Sequence, residues 1–226
     1  LFIMRKSTIF SSGSLRRQIF KVMGIGIAGL FTFSVANAQL SGNYTINSGS
    51  PTGGNNFNDF TAFMAALTSN SNAIAGPVTV TVAPGSGPYS DQLVLPNISG
   101  TGPGPGGTRV GITFIGNGET LNYDPNAGSN NAVITLNSAD YVTFQNLVIK
   151  RGTSGSYEWG VRMYGNASNI RFDSCTIEMS GFTSSNTIGI LASSSNTSAS
   201  SGSSTFSNLE VWNSTFISGY YAFRAY

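Results

Sequence analysis

The chain contains no histidine among its 226 residues and only one cysteine, Cys175. The first absence excludes imidazole acid–base catalysis and histidine metal sites. The second excludes an intramolecular disulfide framework. Charge is scarce as well, at 9% of residues. The formal net charge of +2 depends on the first 38 residues, which hold Arg5, Lys6, Arg16, Arg17 and Lys21 and no acid. Setting these five aside leaves six basic and nine acidic residues, a net charge of −3. That balance lacks the basic footprint of a nucleic-acid binder.

What is present is a turn-rich vocabulary of Gly, Ser, Asn and Thr, with regularly spaced apolar residues. This suits an all-β chain, because Gly and Asn supply positive φ cheaply. The decisive pattern is a repeat. Residues 141–150 read YVTFQNLVIK, 169–178 read NIRFDSCTIE, and 208–217 read NLEVWNSTFI. Apolar residues recur at Val142/Ile170/Leu209 and Phe144/Phe172/Val211, then at Ile149/Ile177/Phe216. One short apolar unit per turn at this period predicts a solenoid. Each coil is expected to hold three short strands, the first clear one opening at 132–136. Ile134 and Leu136 against Val161 and Met163 imply a slip of one residue between coils, which a bulge or an unequal corner must absorb. Asn146, Ser174 and Asn213 fall at one corner, where stacked polar side chains can bond along the axis. Cys175 aligns with Leu147 and Ser214 and reads as a small buried hydrophobe.

Residues 1–38 read as a signal peptide. Met4 is the expected start, residues 5–21 form a basic region, and 22–35 (VMGIGIAGLFTFSV) are apolar. Ala36, Asn37 and Ala38 fit the small-x-small rule, placing cleavage before Gln39. A membrane span needs about 20 apolar residues, more than this run supplies. The mature part is therefore 39–226, secreted or at the outer cell surface, with no membrane span. Within it, 60–67 (FTAFMAAL) predicts one amphipathic helix, capped by Asn58 or Asp59, with Phe57 as a staple. A helix there would cover the exposed end of the first coil. Residues 99–108 (SGTGPGPGGT) are read as an irregular loop.

The V-x-F and N-x-x-I pattern resembles the right-handed parallel β-helix of the pectate-lyase-like superfamily. The series YTINSGS, NDFTAFMAAL and GPVTVTVAPGSGPYSDQLVL looks like the N-terminal part of large secreted surface proteins of Gram-negative bacteria, many routed by type IX secretion. The resemblance covers 39–226. It implies a β-helix that stops within a fourth coil, hence a fragment of a longer protein whose open edge would self-associate. It does not imply one activity, because the fold hosts lyases, hydrolases, adhesins and inert stalks.

Enzymes of that superfamily use clustered acids, yet superposed copies here do not stack theirs. Asp140 aligns with Ser168, Asp173 with Gln145, and Glu210 with Arg171 and Thr143. Arg171 and Glu210 should form an exposed pair worth about 0–1 kcal/mol. No catalytic set, metal site or cofactor is expected; the Gly-rich 101–108 lacks the Lys-Ser/Thr of a phosphate loop. Insertions at 152–159 and 193–204 are expected to project as loops. In the first, Tyr157, Glu158 and Trp159 are candidate glycan contacts, because an exposed aromatic beside an acid suits a sugar ring. The preferred alternative packs Trp159 against the next coil. The expected function is a structural or adhesive surface module that contacts extracellular polysaccharide or cell-surface glycans. The alternative is the N-terminal part of a polysaccharide lyase or glycoside hydrolase whose catalytic residues lie in further coils.

Overall fold

Alternation of apolar and polar side chains decides where the strands fall. Residues Val78, Val80 and Val82 are buried while Thr79 and Thr81 between them are half-buried, a period of two. The structure is a computed structural model and describes residues 39–69, 71–124, 131–151, 158–179, 184–202 and 204–226. The expected signal segment, with Ala36 and Ala38, lies outside these residues; Gln39 is the first of them, and exposed.

The chain opens with β1 (Leu40–Ile46), the short β2 (Asn56–Phe57) and the helix α1 (Phe60–Ser69). Next come β3 (Ile74–Val82), β4 (Leu93–Leu95), β5 (Gly102–Pro103), β6 (Arg109–Val110), β7 (Ile112–Ile115), β8 (Thr120–Tyr123) and β9 (Ala132–Asn137). The regular part follows as β10 (Asp140–Gln145), β11 (Val148–Arg151), β12 (Glu158–Tyr164), β13 (Asn166–Asp173), β14 (Thr176–Met179) and β15 (Thr187–Ala192). It ends with β16 (Thr205–Trp212), β17 (Thr215–Ser218) and β18 (Tyr221–Ala225).

From β7 onward, successive strands visit three sheets in turn. Sheet one runs β16-β13-β10-β7-β3-β1-β2, sheet two β17-β14-β11-β8, and sheet three β18-β15-β12-β9-β4. All pairs within these sheets are parallel. The protein is thus predominantly β with a single helix among the described residues, compatible with a β-helix or solenoid-like fold. The cycle begins one coil earlier than the repeat suggests, because β7, β8 and β9 already occupy sheets one, two and three.

The register reproduces the sequence repeat. Val142 pairs with Ile170 and Ile170 with Leu209, while Phe144 pairs with Phe172 and Phe172 with Val211. Parallel pairing in register puts like side chains on top of one another. Phe114, Phe144 and Phe172 form a stack with centroids 5.3 and 5.1 Å apart and rings tilted by only 9° and 11°. Each such ring contact is worth about 0.5–1.5 kcal/mol beyond burial. Cys175 lies in the same interior, 1% exposed, as a small apolar residue whose thiol donates to the Phe144 carbonyl. Burial pushes that thiol up from its ordinary pKa, away from the reactive thiolate.

The helix closes one end of the stack. Asp59 caps it, its carboxylate accepting from the Ala62 amide at 2.6 Å. Phe60, Phe63, Met64 and Leu67 are buried. Phe63 meets Phe114 edge-on at 5.6 Å and Phe57 edge-on at 5.5 Å, which supplies the staple.

Corners need a left-handed residue, and the sequence supplies ones that tolerate it. Asn146, Ser174 and Asn213 have φ of 47°, 56° and 48° where sheet one hands over to sheet two. The polar ladder, however, forms elsewhere. Tyr141, Asn169 and Asn208 are also left-handed, and there the side chains connect. Asn169 donates to Asp140 at 2.9 Å, and Asn208 donates to Asn169 at 2.6 Å. The one-residue slip resolves as an unequal corner. Ile134 pairs with Val161 and Leu136 with Met163 in register. The turn from sheet three into sheet one is one residue longer around Gly165, whose φ of 68° suits glycine. Residues 99–108 are more regular than their composition implies. Gly102 and Pro103 pair antiparallel with Val110 and Arg109 around a 3-10 turn at Pro105–Gly107, since a two-residue ribbon needs little strand propensity.

The Phe stack makes a direct prediction. Phe144→Ala should cost about 3–5 kcal/mol, as for other buried aromatics, and Phe144→Leu distinctly less. Urea unfolding followed by far-UV circular dichroism measures both.

Candidate functional site

Recognition can only occur on the outward faces, since the interior is filled by side chains. Sheet three is the first to consider, because it carries Glu158 and Trp159. These two residues are not in a projecting loop. Both belong to β12, Glu158 is 1% exposed and Trp159 0%. Neither offers a surface on which a sugar could stack. Tyr157 lies outside the described residues.

The burial of Trp159 has two causes. Strict alternation lapses in sheet three, in register from coil to coil, so that Gly160 and Val161 both face the interior. A Cβ on Gly160 would sit 2.7 Å from the Ile177 side chain, so only glycine fits. Trp159 and Arg162 therefore share the outward face. That face is then covered by the second insertion. Residues 193–202 do not project but fold back over sheet three as a strap. Ala199 from the strap joins Ala132, Trp159, Ile188 and Leu191 in a cluster separate from the main interior.

Arg162 is the latch. It is 5% exposed and lies 4.1 Å from the centre of the Tyr164 ring. Its guanidinium donates to the carbonyl oxygens of Ser193 at 3.2 Å and Ser194 at 3.1 Å, and to the Asn196 side chain. Asn131 donates to the Asn196 carbonyl at 2.8 Å. A polar strap with few apolar side chains is held down because a buried cation satisfies its carbonyls.

Glu158 faces the other way, toward the corner between sheets two and three, near Arg151, which is also 1% exposed. Both Glu158 oxygens are shielded from solvent and receive no hydrogen bond from a described residue. Burial raises its carboxyl to a pKa of about 7; Arg151 pulls it down and Asp124 pushes it further up. Burial likewise lowers the Arg151 guanidinium, against the charges of Glu158 and Asp124.

Sheet two presents Lys150 and Glu178 on adjacent strands, paired at 2.9 Å. Sheet one carries the richest outward face. Register aligns Thr79, Thr113, Thr143, Arg171 and Glu210 in one row, and Thr81, Ile115, Gln145, Asp173 and Trp212 in the next. Arg171 meets Asp173 at 2.8 Å and Glu210 at 3.7 Å, which is the exposed pair foreseen from the aligned copies, with a second acid added. The Arg171 hydrogen bond holds the Asp173 carboxyl below its ordinary pKa, helped by Ser174 and Asn213. Trp212 is 55% exposed, with the Arg171 guanidinium 5.6 Å from its ring centre. Trp212 stands as the one large aromatic in a row with Gln145 and Asp173, a position the aligned sequence copies already show.

Among the described residues no group of three acids or thiols is placed to hold a metal ion, and no helix is long and apolar enough to cross a membrane. Compared with known proteins, the chain matches no family model, no curated protein and no solved structure.

Two outcomes test this account. Arg162→Ala should release the strap at a cost of about 1–3 kcal/mol. Trp159 should then become accessible to acrylamide quenching, and limited proteolysis should cut within 193–202. For Glu158, folding raises the pKa from its ordinary 4.5 to about 7. The folded state therefore keeps a proton that the unfolded state loses in that window. This contribution to stability is full below pH 4.5 and disappears as pH rises to 7. Glu158→Gln removes the dependence, so the stability of the variant relative to the parent should rise across this interval in urea titrations.

Proposed function

We propose that the chain is a secreted or cell-surface module built as a right-handed parallel β-helix of the pectate-lyase-like type, serving a structural or adhesive role and contacting extracellular glycans. The observation that supports this reading best is the cyclic visit of β7 to β18 to three parallel sheets. Such a cycle dedicates every inward position to packing and leaves spaced outward rows for contact. Those rows here are hydroxyl, amide and paired charge on sheet one, which suits hydrated polymers.

Export is supported by sequence. A basic region, an apolar run at 22–35 and Ala36-Asn37-Ala38 follow one another in the order of a cleavable signal. Produced as the full chain in a Gram-negative host, the protein should leave the cytoplasm, and N-terminal sequencing of the exported form should begin at Gln39. Ala38→Phe should leave an uncut precursor, because the peptidase pocket takes small side chains. An uncut wild-type chain that stays in the cytoplasm would overturn the reading.

A further inference from the structure

We infer that a small cleft on the outer face of sheet one, walled by Arg109 and floored by Thr113, binds a sulfate ester carried on a polysaccharide. This rests on the glycan-contacting reading above and gives it a place and a chemical class.

The cleft lies well inside the stack. Its strands are β3, β7 and β10, flanked by β1 on one side and β13 on the other, so each is paired along both edges. Its shape comes from one missing side chain. Pro77, Gly111 and Tyr141 each stand one residue before the paired Val78, Ile112 and Val142. A Cβ on Gly111 would lie 2.0 Å from the Tyr141 carbonyl oxygen, so glycine is required and a notch is left beside Pro77. The notch holds about 90 Å³, the share of about three waters. That admits one charged substituent and not a whole sugar, so the body of the ligand stays outside.

Tyr141 is the least expected residue of the lining. Its φ is 54°, and its counterparts Asn169 and Asn208 have 52° and 50°. Asparagine suits that conformation and a bulky ring does not. What tyrosine adds is a support for a cation. The Arg109 guanidinium lies 5.2 Å from its ring centre and donates to the Asn169 carbonyl oxygen. A local preference given up to hold a neighbouring group is a mark of a functional position.

The lining offers donors. Arg109 forms no ion pair with a described acid, and no described carboxylate borders the cleft. The hydroxyls of Thr79, Thr113 and Thr143 follow one another in register and bond no other described residue. Their strands are about 4.8 Å apart, so two neighbouring hydroxyls can bracket one tetrahedral head. Such a surround suits a group that only accepts. One guanidinium balances one charge, which a sulfate ester carries on three free oxygens. A phosphate monoester carries about −1.5 to −2 and would be left under-neutralised. A planar carboxylate has two oxygens, fewer than the guanidinium and two hydroxyls can fill.

The test uses the full chain. Its first 38 residues are basic, so each affinity is read as parent against variant. Calorimetry at about 0.15 M ionic strength compares hexasaccharides of sulfated galactan and sulfated dextran with their desulfated counterparts, a phosphorylated dextran hexasaccharide, hexagalacturonate and sodium sulfate alone. The sulfated sugars should bind at least tenfold tighter than the desulfated ones, and Arg109→Gln should remove about tenfold to a hundredfold, as loss of a charged hydrogen bond does. Thr113→Val, which keeps the shape and deletes the hydroxyl, should weaken binding by a smaller factor. Tyr141→Asn separates binding from folding: it should leave the melting temperature equal or higher and still weaken binding. The proposal is overturned if desulfated sugars bind as tightly, if Arg109→Gln binds as the parent does, or if Tyr141→Asn weakens binding only by unfolding the chain. It is also overturned if the phosphorylated sugar, hexagalacturonate or free sulfate binds as tightly as the sulfated sugars. A chain that binds desulfated sugars with Arg109 indifferent would sink this cleft and leave the glycan-contacting reading standing. A chain that binds sulfated sugars through Arg109 but stays in the cytoplasm would sink the secretion reading alone.

Discussion

The parallel register of consecutive coils is the constraint on which the rest of the structure depends. Because Phe144 pairs with Phe114 on one side and Phe172 on the other, three rings lie nearly flat on one another. A slip by one residue would send all of them outward and bring Thr113, Thr143 and Arg171 in. Burying that set would strand a guanidinium and two hydroxyls in an apolar core, each needing a partner. The left-handed corners at Asn146, Ser174 and Asn213 serve this register, since each reverses direction in the same short step. The helix serves it too, by giving Phe114 a ring partner in Phe63 where its pairing residue in β3 is Val80.

The parts of this that could be read in advance are those written as a period. The columns Val142/Ile170/Leu209 and Phe144/Phe172/Val211 were visible because identical roles recur at fixed offsets, and the corner asparagines came with them. Asp59 and the helix were visible because capping and amphipathic spacing are local. The Asp140–Asn169–Asn208 ladder was not, since Asn169 aligns with Tyr141 while the side chain it meets is that of Asp140, one position off the column. That β3 and β7 share a sheet with the repeat was hidden for a related reason: a long excursion through β4, β5 and β6 joins them and obscures the period.

The burial of Glu158 and Trp159 in a strand was hard to read for a different physical reason. The Gly- and Ser-rich residues before them read as a loop that takes in both, whereas β12 begins at Glu158. The burial of Trp159 is then supplied by residues far along the chain, from a strap whose composition says only that it is polar. Nothing in residues 193–204 announces that their carbonyls have a cation waiting. That information lies in Arg162, which looks like an ordinary surface residue until the fold brings the strap across it. Long-range burial of this kind is a tertiary fact, set by which loop is long enough to reach back.

Arg162 and Arg171 make the point about function. They lie on consecutive strands of the same chain segment, and both point outward. Arg162 is 5% exposed and spends its donors on the protein's own backbone. Arg171 stays at the surface, bridging two acids beside an open indole. Local sequence does not separate them; loop length does. The segment after β15 is long and folds over sheet three, whereas the step from β16 to β17 is a two-residue corner that covers nothing. Sheet one is therefore left free by the same repeat that builds the core. An outward row in such a scaffold becomes available for recognition when its neighbouring turns are short, and is withdrawn when one of them lengthens into a cover.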